Sequence, residues 1–383
     1  MVASTSMNRF DDNGRMRTTG AVLRKVPGRW ELAEIEVEDP RHGELLIEMR
    51  AAGLCHSDDH YAKGDTPIVT LPFVGGHEGS GVVIGIGPNT PGWEIGDHVV
   101  LSFLPVCGRC RWCSTGRQNL CDMGRFLRDG TRSDGSFRMR IDGVSAAQMC
   151  GLATFSRHTL VDVAAAVKVD PELNLEAVCL TGCGVGTGWG SAVNSAEIQP
   201  GDTVIIMGVG GIGINAVQGA RHAGATNIVA VDPVALKREV ATQVGATHVF
   251  ASIDEATEFV LSATNGQGAD SAIVCTGVLS SEDVQNAFSS IRKAGTVVVT
   301  ALGEAETDVV VNARELTLYQ KRIQGSLFGG SNPLADIPLM LGLYRSGQLH
   351  LEELITARYR LEDINQGYDD LHAGQNVRGI IVF

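Results

Sequence analysis

No run of apolar residues in this chain approaches the roughly 18 that a membrane-crossing helix needs. Positive charge is also scarce. The 31 Lys and Arg are outnumbered by 44 Asp and Glu, a net charge of -13, so a broad basic face for nucleic acid or an anionic membrane has no source. Neither kind of partner is expected. The opening MVASTSMNRFDDNGRMRTTG lacks the apolar stretch of a signal peptide and reads as a polar tail over 1–17, in which Met16 is an alternative start. A cytoplasmic protein is expected. Internal repeats and low-complexity segments are absent. What the chain has in quantity is glycine, at 47 residues, together with nine cysteines. A reducing cytosol argues against reading those cysteines as disulfides. A length of 383 residues, 44% of them apolar, suits two domains better than one core.

The pattern changes along the chain. Up to about residue 180 it is β-rich and dense in glycine: ELLIEMRAAGL and SGVVIGIG read as strands, and GIGPNTPGWEIGDHV as a turn region. After Cys183, TVIIMGVGGIGINAVQGARHAGATNIVAVD reads as buried strand, glycine turn, amphipathic helix and second strand. Helix and strand then alternate through KREVATQVGATHVFA, ADSAIVCTG and EDVQNAFSSIRKAGTVVVTAL, which implies a parallel sheet with crossovers. The tail from ADIPLML onward carries two helical patterns and a closing strand. The fold class is therefore α/β, with boundaries expected near 185 and 325.

Gly208, Gly210, Gly211, Ile212 and Gly213 lie in a G-x-G-x-x-G turn between strand and helix, and Asp232 ends the next strand 19 residues later. Such glycines permit a tight turn and close approach of a pyrophosphate to a helix N-terminus. Asp232 suits ribose hydroxyls and repels a 2′-phosphate, which favours NAD over NADP. The competing reading is a glycine turn needed only for helix–strand packing.

Four cysteines fall in a C-x2-C-x2-C-x7-C run, Cys107, Cys110, Cys113 and Cys121. A closed tetrahedral zinc site can use those spacings, and so can an iron–sulfur cluster. Neighbouring Arg109, Arg111, Gly116 and Arg117 are poor companions for plain core cysteines. Cys150, Cys179 and Cys275 sit in apolar settings and read as small core residues. Cys55 in GLCHSDDH, His77 in GGHEG and Cys183 in TGCGVGT are each ordinary when judged singly. Together, two thiolates and an imidazole make a three-ligand zinc site with one position open. Their spacing does not itself bring them together.

GLCHSDDH, GGHEGSGVV, the four-cysteine run, GCGVGTG, GVGGIG and NVRGIIVF occur in the order found in zinc-dependent medium-chain alcohol dehydrogenases, which the chain resembles from about residue 18 to its end. GCGVGTGWGSA and LTLYQKRIQGSLFGGSNPLADIP are similar to an actinobacterial branch of the long-loop, liver-type-like members. That branch is the nicotinoprotein, dimethylnitrosoaniline-dependent type, which retains NAD and passes its electrons to another acceptor. The resemblance implies a GroES-like catalytic domain over 18–184 and 326–383 and a Rossmann NAD-binding domain over 185–325. It implies two zinc ions per subunit, one catalytic and one structural. It also implies NAD, an alcohol or aldehyde substrate, an electron-acceptor partner and a homodimer or homotetramer.

Residue by residue, Cys55, His77 and Cys183 match catalytic zinc ligands, and Cys107, Cys110, Cys113 and Cys121 match structural ones. Asp58 matches the carboxylate that orients the ligand histidine. Glu78 matches an acidic neighbour of the metal, and Ser57 and His60 match a proton relay. Thr187, Asp232, Lys237 and Arg378 match cofactor contacts. His56 stands where some relatives place an arginine on the pyrophosphate. Phe103 and Phe155 match pocket walls, with ordinary core roles as the alternative.

The rival branch is glutathione-dependent formaldehyde dehydrogenase. His56 and Arg125 resemble it, whereas the poor match at Asp65-Thr66-Pro67-Ile68 and the presence of His60 do not. A non-enzymatic, zinc-lacking relative conflicts with the full set of metal ligands. Cysteine-protease chemistry at Cys55 lacks any accompanying oxyanion or partner pattern.

Overall fold

The computed structural model of the chain describes residues 14–303 and 307–383. The tail expected over 1–17 lies outside the described residues up to position 13, and Arg15 to Arg17 already belong to the first strand, Arg15–Leu23.

Three sheets organise the chain. A closed barrel joins strands Arg15–Leu23, Glu31–Glu38, Met139–Ile141, Val144–Gln148 and Phe73–Val74. A seven-stranded sheet centres on Glu44–Gly53, which pairs with Gly79–Ile86, His158–Asp162 and the last strand of the chain, Arg378–Val382. That last pairing sets Ile380 opposite Gly53 and Ile381 opposite Ala52, so the C-terminus lies beside the segment that leads into Cys55. The tail holds one strand more than its pattern suggested: Ile355–Tyr359 pairs in parallel with Arg378–Val382. Its alternating burial gives it an apolar face too short to register as a strand in the sequence.

The third sheet has six parallel strands in the order His248–Phe250, Asn227–Val231, Thr203–Met207, Ala269–Val274, Ile291–Val299, Arg322–Gly325. Thr203–Met207 is buried at every position, as a strand covered by helices on both faces must be. The chain order reverses between Thr203–Met207 and Ala269–Val274, and a crevice opens there at the carboxyl ends of the strands. Gly208, with φ of +81°, makes the turn out of the strand. A Cβ on Gly213 would stand 1.8 Å from the Gly208 carbonyl oxygen, so only glycine lets helix Gly213–His222 pack this closely. Among the described residues no helix is long and apolar enough to cross a membrane.

Candidate metal centre and cleft

Helix His56–Lys63 starts at Cys55, whose backbone is extended and whose N–H donates to Asp58 Oδ2 at 3.3 Å. Asp58 is fully buried, and its other oxygen accepts from the Gly76 N–H at 3.2 Å and from His77 Nδ1 at 3.1 Å. One carboxylate thus ties the start of the helix to the segment that carries His77. That segment needs its glycines: a Cβ on Gly76, at φ +90°, would come within 2.5 Å of the Phe155 nitrogen. The other ring nitrogen of His77 faces Cys183 Sγ at 3.3 Å.

The ligand atoms of Cys55, His77 and Cys183 all lie within 4.8 Å of one another. Tetrahedral zinc with bonds of about 2.3 Å to sulfur and 2.0 Å to nitrogen separates its ligand atoms by roughly 3.5–3.8 Å, so the set fits. Its charge fits as well. The hydrogen bond from Cys183 drops the Cys55 thiol well below its ordinary pKa, while Cys183 itself is pushed well above. Burial alone would lower the His77 pKa, but Asp58 and Cys55 together outweigh it and raise that pKa well above the ordinary value. A cation would take the place of protons that the group holds, and binding a metal would release both the Cys183 thiol proton and the proton on His77 Nε2.

Cys107, Cys110, Cys113 and Cys121 form the second group, also with all ligand atoms within 4.8 Å. Cys107 and Cys113 sulfurs stand 3.9 Å apart, and backbone N–H groups of Cys107, Cys110 and Cys113 point at sulfurs of Cys121, Cys107 and Cys110. The Asp122 and Cys113 amides lower the Cys110 pKa to about 6. Four sulfurs leave no open position. Asn119 donates to the Leu327 carbonyl at 3.0 Å, fastening this lobe to the edge of the cleft.

The three-ligand group opens onto a cleft of about 1110 Å³ that also reaches Gly208, Gly210, Gly211, Ile212, Asp232, Lys237 and Arg378. Asp232 receives the backbone N–H of Val209 at 3.0 Å and of Val234 at 2.9 Å, which fixes its carboxylate at the cleft edge. Arg378 pairs with Glu78, yet its buried Nε has no partner. An orphaned guanidinium N–H beside a glycine turn suits an anionic pyrophosphate. Thr187 lines the same wall and donates to the Cys183 carbonyl at 2.8 Å.

His56, Ser57 and His60 all line the cleft. Burial pushes the His56 pKa below its ordinary value, so its imidazole is neutral at pH 7. Ser57 Oγ lies 3.7 Å from Cys55 Sγ. Glu78 stands behind the metal group: one oxygen meets Arg378 and the other accepts the Gly184 N–H at 3.0 Å. Gly213 is absent from the cleft wall and acts in helix–strand packing.

Two expectations are corrected. Phe155 is fully buried and packs edge-on against Trp30, with ring centroids 5.6 Å apart, so it is core and not a pocket wall. Conversely, Cys150 lines the cleft with Met149. A short turn with Cys150 at φ +51° carries this pair to the wall, and no local spacing in the sequence announces it. Tyr61, Thr66 and Phe328 are further lining residues that sequence reasoning missed. Phe103 does line the cleft, edge-on to both His77 and Phe328.

Residues 41–171 match the family described as alcohol dehydrogenase GroES-like domain, and residues 211–344 match the family described as zinc-binding dehydrogenase. The NDMA-dependent alcohol dehydrogenase of Amycolatopsis methanolica is 50% identical over 368 residues, covering 96% of this chain and 99% of its own. The S-(hydroxymethyl)glutathione dehydrogenase of Synechocystis sp. is 35% identical, covering 96% of this chain and 100% of its own. Among solved structures, an alcohol dehydrogenase zinc-binding domain protein from Burkholderia ambifaria superposes with a TM-score of 0.91 at 32% identity, over 96% of this chain and 99% of that one.

Proposed function

The chain belongs to the zinc-dependent medium-chain alcohol dehydrogenases, and from that premise we propose how its residues divide the work. It oxidises alcohols to aldehydes or ketones with zinc and NAD. The observation that supports the site assignment is the convergence of Cys55, His77 and Cys183 on a cleft that is also lined by Gly208, Gly210, Gly211 and Ile212.

Zinc held by those three residues supplies Lewis acidity toward the alcohol oxygen, and NAD supplies the hydride acceptor. The chain does the rest. Asp58 holds the His77 ring with Nδ1 occupied, so Nε2 is the ligand atom. Ser57 Oγ stands beside the open side of the group and takes the alcohol's proton, which His60 carries toward solvent. Phe103 and Phe328 flank the reacting position with apolar surface and exclude water. Gly208, Gly210, Gly211 and Ile212 line the cleft and would let a nucleotide approach closely, Lys237 and Arg378 would meet its phosphates, Asp232 its ribose and Thr187 its nicotinamide end. His56, which lines the cleft and whose pKa burial lowers, would contribute a hydrogen bond to the nucleotide. Cys107, Cys110, Cys113 and Cys121 hold a structural zinc.

NAD is assigned as tightly bound and reoxidised in place by an electron acceptor. Support comes from the relative at 50% identity that is named for dependence on NDMA. A homodimer or homotetramer is assigned as well, supported by exposed Val309, Val310, Leu316 and Leu318 and by the edge position of strand Arg322–Gly325.

Cys183→Ala is expected to leave one zinc of two and abolish alcohol oxidation. Full activity in that variant refutes the site. Denaturing the purified protein should release NAD(H), and turnover should need an artificial acceptor. Brisk turnover of free NAD with no nucleotide released rejects the tight-binding assignment. Formaldehyde oxidation that requires glutathione would instead place the chain with the relative at 35% identity.

A further inference from the structure

Three aspartates surround the helix His56–Lys63, and each faces a different partner. Asp58 holds His77. Asp59 is turned away from the cleft toward Lys63 and His372, both at 2.8 Å. Asp65 lies beyond the helix, and its Oδ2 stands 2.9 Å from His60 Nδ1. The local chain explains that contact. Gly64 closes the helix in the left-handed region at φ +95°, and the N–H groups of Gly64 and Thr66 both donate to the His60 carbonyl, at 3.1 and 3.2 Å. The chain therefore doubles back over the last turn and brings residue 65 against the ring five positions earlier. A side chain at position 64 would be strained there, so the turn depends on glycine.

We propose that Asp65 is a positioning residue for the proton relay: its carboxylate fixes the ring of His60 and the nitrogen on which that ring carries its proton. This rests on the relay reading of Ser57 and His60 given above. An ionised carboxylate only accepts, so the ring proton of neutral His60 sits on Nδ1 and the lone pair on Nε2. Nε2 is then the atom that accepts the incoming proton. An N–H bond forms there as the donor O–H breaks, and the imidazolium later returns that proton to water. Asp65 stays ionised throughout. Burial of His60 on the cleft side, with its side chain 9% exposed, and exposure of Asp65 at 38% put the relay's outer end at the protein surface. Other charged or titratable groups around the ring are His56, Asp59 and Lys63 of the same helix. Beyond them stand His372, through Asp59, and Lys237, which faces His56 across the cleft.

The test compares Asp65→Ala, Asp65→Glu and His60→Gln, following the rate of nicotinamide reduction by an alcohol from about pH 6 to about pH 9. Zinc and bound nucleotide are counted in each variant. Asp65→Ala should slow the step on the order of tenfold at the acid end, the lower end of the range found when the partner behind a metal-bound histidine is lost. The gap should close at the alkaline end, where bulk base takes the proton, with KM for the alcohol unchanged. Asp65→Glu should restore most of the loss, and His60→Gln should reproduce it. A wild-type pH profile in Asp65→Ala, or an equal loss at every pH, overturns the role of Asp65 while leaving the relay intact. A wild-type profile in His60→Gln overturns the relay and Asp65 with it. If Asp65→Ala does not fold, Asp65→Asn takes its place under the same criteria.

Discussion

Replacing Asp58 by Ala should separate the two metal groups. Asp58 has no solvent exposure and accepts three hydrogen bonds, from the Cys55 and Gly76 amides and from His77 Nδ1. Alanine leaves all three donors buried, and each unpaired donor costs about 1–3 kcal/mol unless water enters. The metal feels the loss through His77, which is free to rotate or to take the other tautomer, and through Cys55, whose backbone loses its anchor. Loss of such a supporting carboxylate typically weakens metal binding 10–100-fold, or about 1.4–2.7 kcal/mol. Nothing in the group of Cys107, Cys110, Cys113 and Cys121 touches Asp58, so that group serves as an internal control. Dialysis against a graded chelator series, with zinc counted by emission spectroscopy, should take the variant from two zincs to one at a chelator strength that leaves the wild type at two. Alcohol oxidation should fall with the first zinc. If both zincs leave together, or neither leaves before the wild type's, then Asp58 does not govern the His77 site and the reasoning fails.

Gly76→Ala should destabilise the fold and the site at once, because residue 76 sits at φ +90° and its Cβ would strike the Phe155 backbone. A loss of at least ~2 kcal/mol in denaturant unfolding is expected, accompanied by a loss of one zinc. Cys150→Phe should change the ratio of kcat/KM between bulky and small alcohols by a factor equivalent to ~1–3 kcal/mol with little change in Tm. Phe155→Leu should do the reverse, lowering Tm and leaving that ratio alone; a shifted ratio in Phe155→Leu would contradict its place in the core. Glu44 is buried between Arg138, at 2.8 Å, and Arg132, at 3.4 Å. Glu44→Gln removes the buried carboxylate that two buried guanidinium groups share, leaving only the half-exposed Asp134 as a charge partner for Arg138, and should cost about 3 kcal/mol, read by chemical denaturation, with both zincs retained in the folded fraction.

Local periodicity and short motifs carried much of this molecule. TVIIM is buried at every position because helices cover both faces of its strand, and Gly213 is required by its contact with the Gly208 carbonyl five residues earlier, whereas Gly208 and Gly211 are crowded by the distant Cys275 and Arg378. The four-cysteine run is legible for the same reason: its ligands lie within one short lobe, so sequence spacing is nearly spatial spacing. The place of Asp232 at the cleft edge is readable because a strand–turn–helix–strand unit fixes how far along the chain the end of the second strand falls. The three-ligand group is different. Cys55, His77 and Cys183 belong to a helix start, a glycine turn and the far end of the β-rich region, and only the folded sheets bring them together. The pocket wall depends still more on tertiary structure. Cys150 and Phe155 are five residues apart in one apolar stretch, and either could face the cleft by composition. One left-handed turn sends Cys150 to the wall and Phe155 under Trp30. The role of Asp65 was hidden in the same way, since its meaning depends on Gly64 reversing the chain. A sequence can state which atoms are available and how neighbours within a turn or a helix must lie. Which distant side chains share one cleft is set by packing across sheets, and packing depends on the whole chain at once.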